Sequence, residues 1–129
     1  MPKPALLGAR ATITRTVEPR HTLSAHLDSL PPVLTTPDMI GWMEFACLEA
    51  LKPFCEGDEI TVGTHIQVTH KAPTGVGSQV AAEAELERID GRFHMMKVVA
   101  RDENGVIGEG YVGRAFVSYS RFLQKMEQK

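Results

Sequence analysis

The sequence has few of the features that membrane-spanning, nucleic-acid-binding or disulfide-rich proteins need. Of its 129 residues, two are cysteine and 6% are aromatic, and no apolar run is long enough to cross a bilayer. The formal net charge is -2, so there is no excess of positive charge to attract nucleic acid or an anionic membrane. We therefore expect neither of these as a partner.

Cofactor motifs are also missing. Cys47 and Cys55 make neither a metal-binding spacing nor a disulfide framework, and the histidines show no H-x-x-x-H pattern. The Gly-Val-Gly run at 75–77 precedes a strand pattern instead of a helix, so it does not predict a dinucleotide-binding loop. We expect no metal and no bound cofactor. With no signal-peptide pattern, we expect a reducing cytoplasm.

What is present is an ordinary globular composition around one distinctive helix. A length of 129 residues with 43% hydrophobic residues predicts one domain, residues 1–129, with a real core. The stretch 33–51 predicts a long helix that begins at Thr36, the N-cap, followed by Pro37. Thr35 is the alternative cap, with Asp38 reaching back to it.

This helix is apolar around most of its circumference. Its main stripe is formed by Met39, Ile40, Met43, Ala46, Cys47, Ala50 and Leu51, and three more apolar residues lie off the stripe: Trp42, Phe45 and Leu48. Such a helix must be enclosed by a curved sheet or a partner chain. Glu44 lies at the edge of the stripe, where a carboxylate needs partners or a raised pKa, unless it is solvated like Glu49.

Five stretches alternate like strands. They cover residues 11–17, 59–71, 78–89, 93–100 and 106–119, with a short helical turn near 22–27 and a polar tail at 121–129 that predicts no element. In the second strand, strict alternation puts Ile60, Val62 and His70 on the core face and His65 on the other face. Glycines at 108, 110 and 113 predict a bulge or the close approach of another backbone. The order strand, helix, four strands predicts an α+β fold, in which a curved antiparallel sheet wraps round one central helix.

Three polar residues should lie near one another in such a fold. They are Thr36 at the helix start, Glu44 two turns further on, and His70 at a strand end. A hydroxyl, a carboxylate and an imidazole are the groups that acyl transfer uses. The spacing alone leaves open that Thr36 is only a cap and that His70 is a satisfied histidine at a strand end.

Three longer runs carry a resemblance to a known family. TTPDMIGWMEFACLEALKPF, VGTHIQVTHKAPTGVGSQV and GEGYVGRAFV resemble the fluoroacetyl-CoA thioesterase-like family of hotdog-fold proteins, over residues 12–122. The resemblance implies that Thr36, Glu44 and His70 are catalytic. It also implies that the Gly63 backbone lies against the thioester and that Arg114 belongs to the substrate site.

The resemblance implies a homodimeric hotdog enzyme that hydrolyses a short-chain acyl-CoA, with CoA arriving as part of the substrate. Glu44 would act as nucleophile or orient water, His70 would be the general base and acid, and Thr36 would fix the carboxylate and polarise the carbonyl. A non-catalytic protein that binds an acyl-CoA or another small ligand is the alternative. A dehydratase would need an Asp/His pair with a different signature, which is not found.

Two positions depart from the family pattern. Pro37 stands where the family has glycine after its threonine, and Leu30 falls near the aromatic residue that gates the pocket of the fluoroacetyl-specific enzyme. The loop is stiffer and its lid lacks a ring. We therefore expect a short acyl-CoA substrate that is not specifically fluoroacetyl-CoA.

Overall fold

The computed structural model describes residues 5–128. The strands are β1 Arg10–Thr16, β2 Glu59–His70, β3 Gln79–Asp90, β4 Phe93–Asp102 and β5 Gly105–Ser118, and the helices are α1 Thr36–Leu51 and α2 Tyr119–Glu127. Short 3-10 turns lie at Pro19–His21, Leu23–Ala25 and Lys52–Phe54. In the part of the chain so described, no helix is both long and apolar enough to cross a bilayer.

The five strands form one sheet in the order β1-β3-β4-β5-β2, and every pairing is antiparallel. β3 and β4 are joined by a tight hairpin in which Gly91 has a φ of 61°, which favours glycine. α1 packs mainly across β1 and β3. The sequence prediction of an antiparallel sheet around one long helix is confirmed.

The core lies between α1 and the sheet. The predicted stripe is buried, except that Ile40 is half-buried, and Trp42 is buried as well because the His21 ring covers it edge-on at 5.1 Å. The segment before α1 therefore packs on the helix. Phe45, by contrast, points away from the core and is 53% exposed.

The N-cap of α1 lies one residue before the position that the sequence analysis predicted first. Thr35 is the N-cap: its hydroxyl accepts the Asp38 N–H at 3.1 Å and donates to the Asp38 carboxylate at 2.6 Å. Thr36 is the first helical residue, and Pro37 follows it. The prediction that Thr36 is the cap is wrong, and the alternative with Thr35 is confirmed. The Thr36 hydroxyl is thus free for another partner.

β2 carries a bulge that strict alternation did not predict. Gly63 pairs with Arg114 and His65 pairs with Gly113, so Thr64 is an extra residue that reverses the alternation. Before the bulge, Thr61 and Gly63 are on the face of β2 that points to α1. After the bulge, the residues on that face are Ile66, Val68 and His70. The prediction that Ile60 and Val62 share the face of His70 is therefore wrong.

Glycines on β5 allow the backbones to approach closely, as predicted. A Cβ on Gly110 would stand 2.0 Å from the Gln67 carbonyl oxygen, and one on Gly108 would stand 2.6 Å from the Met39 side chain. β5 also has a bulge beside these glycines, as predicted: Gly108 pairs with Ala100 and Val106 pairs with Arg101, so Ile107 is an extra residue.

The C-terminal segment forms a helix, α2, where the sequence analysis predicted no element. Ser118 is its N-cap, and its apolar residues lie at helical spacing: Tyr119, Phe122, Leu123 and Met126. All four are exposed by more than a third of their surface. The helix packs only lightly on the end of β5.

Candidate active site

Thr36 and His70 form the first polar pair of the site. The Thr36 hydroxyl and His70 Nδ1 share a hydrogen bond of 2.8 Å. The bond is possible because Thr35 caps α1 in place of Thr36, and because the bulge in β2 turns His70 toward the helix. Two residues that lie 34 positions apart in the sequence are thereby joined at the N-terminus of α1.

The second ring nitrogen of His70 is left without a partner. Within residues 5–128, His70 Nε2 is buried and makes no hydrogen bond. The pair borders a cleft of about 320 Å³ with a largely aliphatic wall that includes Leu23, Val33 and Leu34. An imidazole that is held at one nitrogen and unpaired at the other, in a residue that borders an apolar cleft, has the nitrogen that proton transfer requires.

Glu44 belongs to a second cluster, centred on Arg114. Arg114 Nη1 donates to Glu44 Oε2 at 3.0 Å, and Arg114 Nη2 donates to the Thr61 carbonyl oxygen at 2.7 Å. Further hydrogen bonds run from Nη2 and Nε to the Thr61 hydroxyl, at 3.2 and 3.4 Å. The arginine side chain is 4% exposed and the glutamate side chain 35% exposed. The carboxylate is therefore held at a fixed place and still reaches solvent.

Gly63 leaves the space that this carboxylate occupies. A Cβ on Gly63 would stand 2.9 Å from Glu44 Oε2 and 3.4 Å from Arg114 Nη1. Only a residue without a side chain lets the carboxylate lie this close to the backbone of β2. The sequence-predicted Gly63, Glu44 and Arg114 therefore do come together.

Burial and charge act together around Arg114. Burial lowers the pKa of the guanidinium, while the neighbouring Glu44 carboxylate opposes that shift. On the adjoining turn of α1, burial raises the pKa of the Cys47 thiol to about 12, with Arg114 acting in the opposite direction. Cys47 therefore remains a neutral thiol, as the prediction of a small buried hydrophobic residue requires.

The two clusters do not contact each other within one chain. Thr36 and Glu44 are eight residues apart on α1, a rise of about 12 Å. Leu30 lies on the loop before α1, is 40% exposed, and does not border the cleft. Among residues 5–128, no group of three or more His, Cys, Asp or Glu side chains is placed to hold a metal ion.

Sequence reasoning missed several residues of both clusters. Thr61 anchors Arg114 through its carbonyl and hydroxyl, and no local pattern indicates that role because the contact spans two strands. Leu23 and Val33 line the cleft in place of Leu30. Only the pairing register between β2 and β5 could have indicated Thr61. The bulge in β2 hides that register from an analysis of sequence alternation.

Solved structures with the same architecture give the class of the protein. A hot-dog-like protein from Thermanaerovibrio acidaminovorans matches with a TM-score of 0.87 at 20% identity, over 95% of this chain and 90% of that one. A structure of a fluoroacetyl-CoA thioesterase matches with a TM-score of 0.92 at 34% identity, over 98% of both chains. The fold is a hotdog fold of the thioesterase class, as predicted.

Sequence comparison identifies the family within that class. The chain is 36% identical to the fluoroacetyl-CoA thioesterase of Streptantibioticus cattleyicolor over 129 residues, which cover 95% of this chain and 93% of that protein. The family model described as "Fluoroacetyl-CoA-specific thioesterase" matches residues 17–120. The chain belongs to this family of thioesterases, and the predicted resemblance is confirmed.

Proposed function

We propose that this protein hydrolyses a short-chain acyl-CoA thioester to the free acid and CoA. The observation that carries the proposal is the Glu44 carboxylate, which Arg114 holds in place and which Gly63 allows to lie against the backbone of β2. A fixed, partly exposed carboxylate is suited to attack a thioester carbonyl or to orient the attacking water.

The other two residues have the remaining roles. His70 takes a proton from water and delivers one to the CoA thiolate as it leaves, using the nitrogen that Thr36 does not hold. The Thr36 hydroxyl and the backbone N–H groups at the start of α1 stabilise the negative charge on the carbonyl oxygen. The reaction in this form uses no metal and no redox cofactor, and CoA enters as part of the substrate.

The separation of the two clusters favours a site shared between two subunits. On α1, Ile40 lies midway between Thr36 and Glu44, and on β2 the midpoint between Gly63 and His70 falls at 66–67. A two-fold axis that passes beside these two midpoints, between two copies of the chain, would set each element antiparallel to its copy, with opposite ends side by side. It would bring Glu44 of one subunit to Thr36 and His70 of the partner subunit.

Both elements carry an apolar side chain that is uncovered in one chain. β2 is an edge strand, so one side of its backbone has no neighbouring strand. Ile66 is 41% exposed on its helix side, and Phe45 on α1 is 53% exposed. Antiparallel pairing of β2 with β2 of a second copy would continue the sheet and cover both side chains. We therefore propose a homodimer.

Both cysteines are free thiols, which fits the reducing cytoplasm that we propose as the location. The relatives named above are thioesterases for fluoroacetyl-CoA. Leu23 and Val33 give the cleft of this chain an aliphatic wall, so we propose short acyl groups in general as substrates.

The test is the release of CoA from acetyl-, fluoroacetyl-, propionyl- and butyryl-CoA, with the Glu44→Gln variant as the catalytic control. We expect turnover of at least one of these substrates by the wild-type protein and a strong loss in the variant. The alternative function, binding without turnover, would appear as tight binding of an acyl-CoA with CoA release no faster than in Glu44→Gln.

A further inference from the structure

A second cleft lies at the end of the sheet opposite to Thr36 and His70. It has a volume of about 320 Å³ and lies between α2, the end of β5 and the β3–β4 hairpin. Three cations line it: Arg92 from the hairpin, and Arg121 and Lys125 from successive turns of α2. Its lining includes no carboxylate. Its volume is in the range of small-molecule pockets.

The three cations keep their charge for a ligand, and the Arg92 guanidinium in addition lies over the Phe93 ring, 5.3 Å from its centroid. Within residues 5–128, none of Arg92, Arg121 and Lys125 forms an ion pair. The carboxylate of Asp58, which contacts the start of α2, is already engaged there. It accepts the Ser120 N–H at 2.9 Å and the Ser118 hydroxyl at 3.1 Å, and these hydrogen bonds lower its pKa.

The rest of the lining is apolar, with aromatic surface. Phe116 and Val117 form part of the wall, and Phe122, which is 40% exposed, stands beside the cations on α2. Positive charges beside an aromatic ring suit a ligand that carries phosphates next to a flat, stackable base. A nucleotide has this chemistry.

The position of the cleft fits the length of CoA. Arg114, which holds Glu44, lies four residues before Ser118 on β5, or about 13 Å along the strand. The pantetheine arm is as long as four to five extended residues, about 15 Å. A CoA whose thioester lies beside Glu44 and whose pantetheine arm runs along β5 toward α2 would therefore reach this cleft with its phosphates. His70 of the same chain pairs with Gly108, ten residues from Ser118, and at about 33 Å is too distant.

We infer that the cleft formed by Arg92, Arg121 and Lys125 binds the phosphates of the CoA nucleotide while the thioester lies beside Glu44 of the same chain. This inference rests on the proposed function, since it is the acyl-CoA substrate that supplies the nucleotide. It assigns a binding role to α2, the helix that the reaction itself does not use.

The test compares two substrates that differ only in the nucleotide. The double variant Arg121→Glu/Lys125→Glu should lower kcat/KM for the acyl-CoA at least about tenfold, mainly through KM, because two attractive charges become repulsive. It should leave the hydrolysis of the matching acyl-pantetheine unchanged. Arg121→Lys should retain most of the activity on the acyl-CoA. The control is Arg15→Glu/Lys97→Glu, which makes the same charge change on exposed residues of β1 and β4.

Titration with CoA, 3'-dephospho-CoA and pantetheine measures how much the nucleotide contributes to binding affinity, in the absence of turnover. Wild-type protein should bind CoA at least about tenfold more tightly than pantetheine, and the α2 double variant should lose that difference. Equal losses in the α2 variant and the control variant, or equal binding of CoA and pantetheine by the wild type, would overturn the assignment. Failure of the proposed function would instead appear as no hydrolysis of either substrate while CoA binding still depends on α2.

Discussion

The two polar clusters are held in opposite ways. The Glu44 carboxylate receives a hydrogen bond from Arg114, which is almost wholly buried and is itself fixed by Thr61. His70 has one hydrogen bond, to Thr36, and its second ring nitrogen has no partner in the described part of the chain. The fold thus anchors one oxygen of the carboxylate to a buried arginine and leaves one nitrogen of the imidazole without a partner.

This difference matches the chemistry that we propose for each group. A carboxylate that attacks or orients water must be positioned before the substrate arrives, because misplacement by a fraction of an ångström is costly. A general base and acid must instead gain and lose a proton, so one ring nitrogen has to remain without a partner in the protein. The comparison between a rigid and an open cluster can be tested by damaging each in turn.

Removing the reacting groups should have the largest effect. Glu44→Gln keeps the size and the hydrogen bond to Arg114 but loses the charge, and His70→Ala loses the base; each should lower kcat/KM at least about 100-fold. His65→Ala is the matched control because His65 is exposed and faces away from α1. Steady-state release of CoA measures all three. Near wild-type rates in both active-site variants would show that neither cluster is catalytic.

Displacing the Glu44 carboxylate without changing its chemistry should cause the second largest loss of activity. In Gly63→Ala the new Cβ would stand 2.9 Å from Glu44 Oε2, so the carboxylate must move. We expect kcat to fall about 10- to 100-fold, as for other small misplacements of a reacting group. Gly75→Ala, where a Cβ would meet no atom within 4 Å, is the control for a generic glycine replacement. Unchanged kcat in Gly63→Ala would mean that the rigid position of Glu44 is not required.

The smallest expected effect is in the choice of substrate, which we assign to the cleft beside Thr36 and His70. This cleft is lined by aliphatic residues such as Leu23 and Val33, which present no aromatic ring to the fluoromethyl group. Discrimination by an apolar wall is modest, so kcat/KM for fluoroacetyl-CoA should exceed that for acetyl-CoA by no more than about tenfold. A preference beyond about 1000-fold would place the discrimination in the reacting groups themselves.

Much of the fold follows from periodicity that the sequence displays locally. The apolar spacing and the threonine–proline start predicted α1 within three residues, and alternation predicted each strand of the sheet. The bulge at Thr64 was not predictable in this way, because it is a property of the pairing between β2 and β5. Helix α2 did leave a signal, apolar residues at i, i+3, i+4 and i+7 from Tyr119, which the polar composition of the tail concealed.

The candidate site was predictable in its members but not in its arrangement. Thr36, Glu44 and His70 were expected together because helix and strand order bring their elements near one another. The structure separates them into two clusters, because eight residues of helix keep Thr36 and Glu44 about 12 Å apart. The family resemblance already placed Arg114 in the substrate site, but only its burial against Thr61 explains how it holds Glu44.

The most direct test of the shared site mixes two inactive variants. The Glu44→Gln and His70→Ala proteins are each refolded alone and then together in equal amounts, and CoA release is measured per subunit. If Glu44 of one subunit works with His70 of the partner subunit, each mixed dimer contains one intact site, and the mixture should recover about a quarter of wild-type activity. If both residues act within one chain, no mixed dimer contains an intact site. A mixture of confirmed mixed dimers no more active than the separate variants would contradict the account.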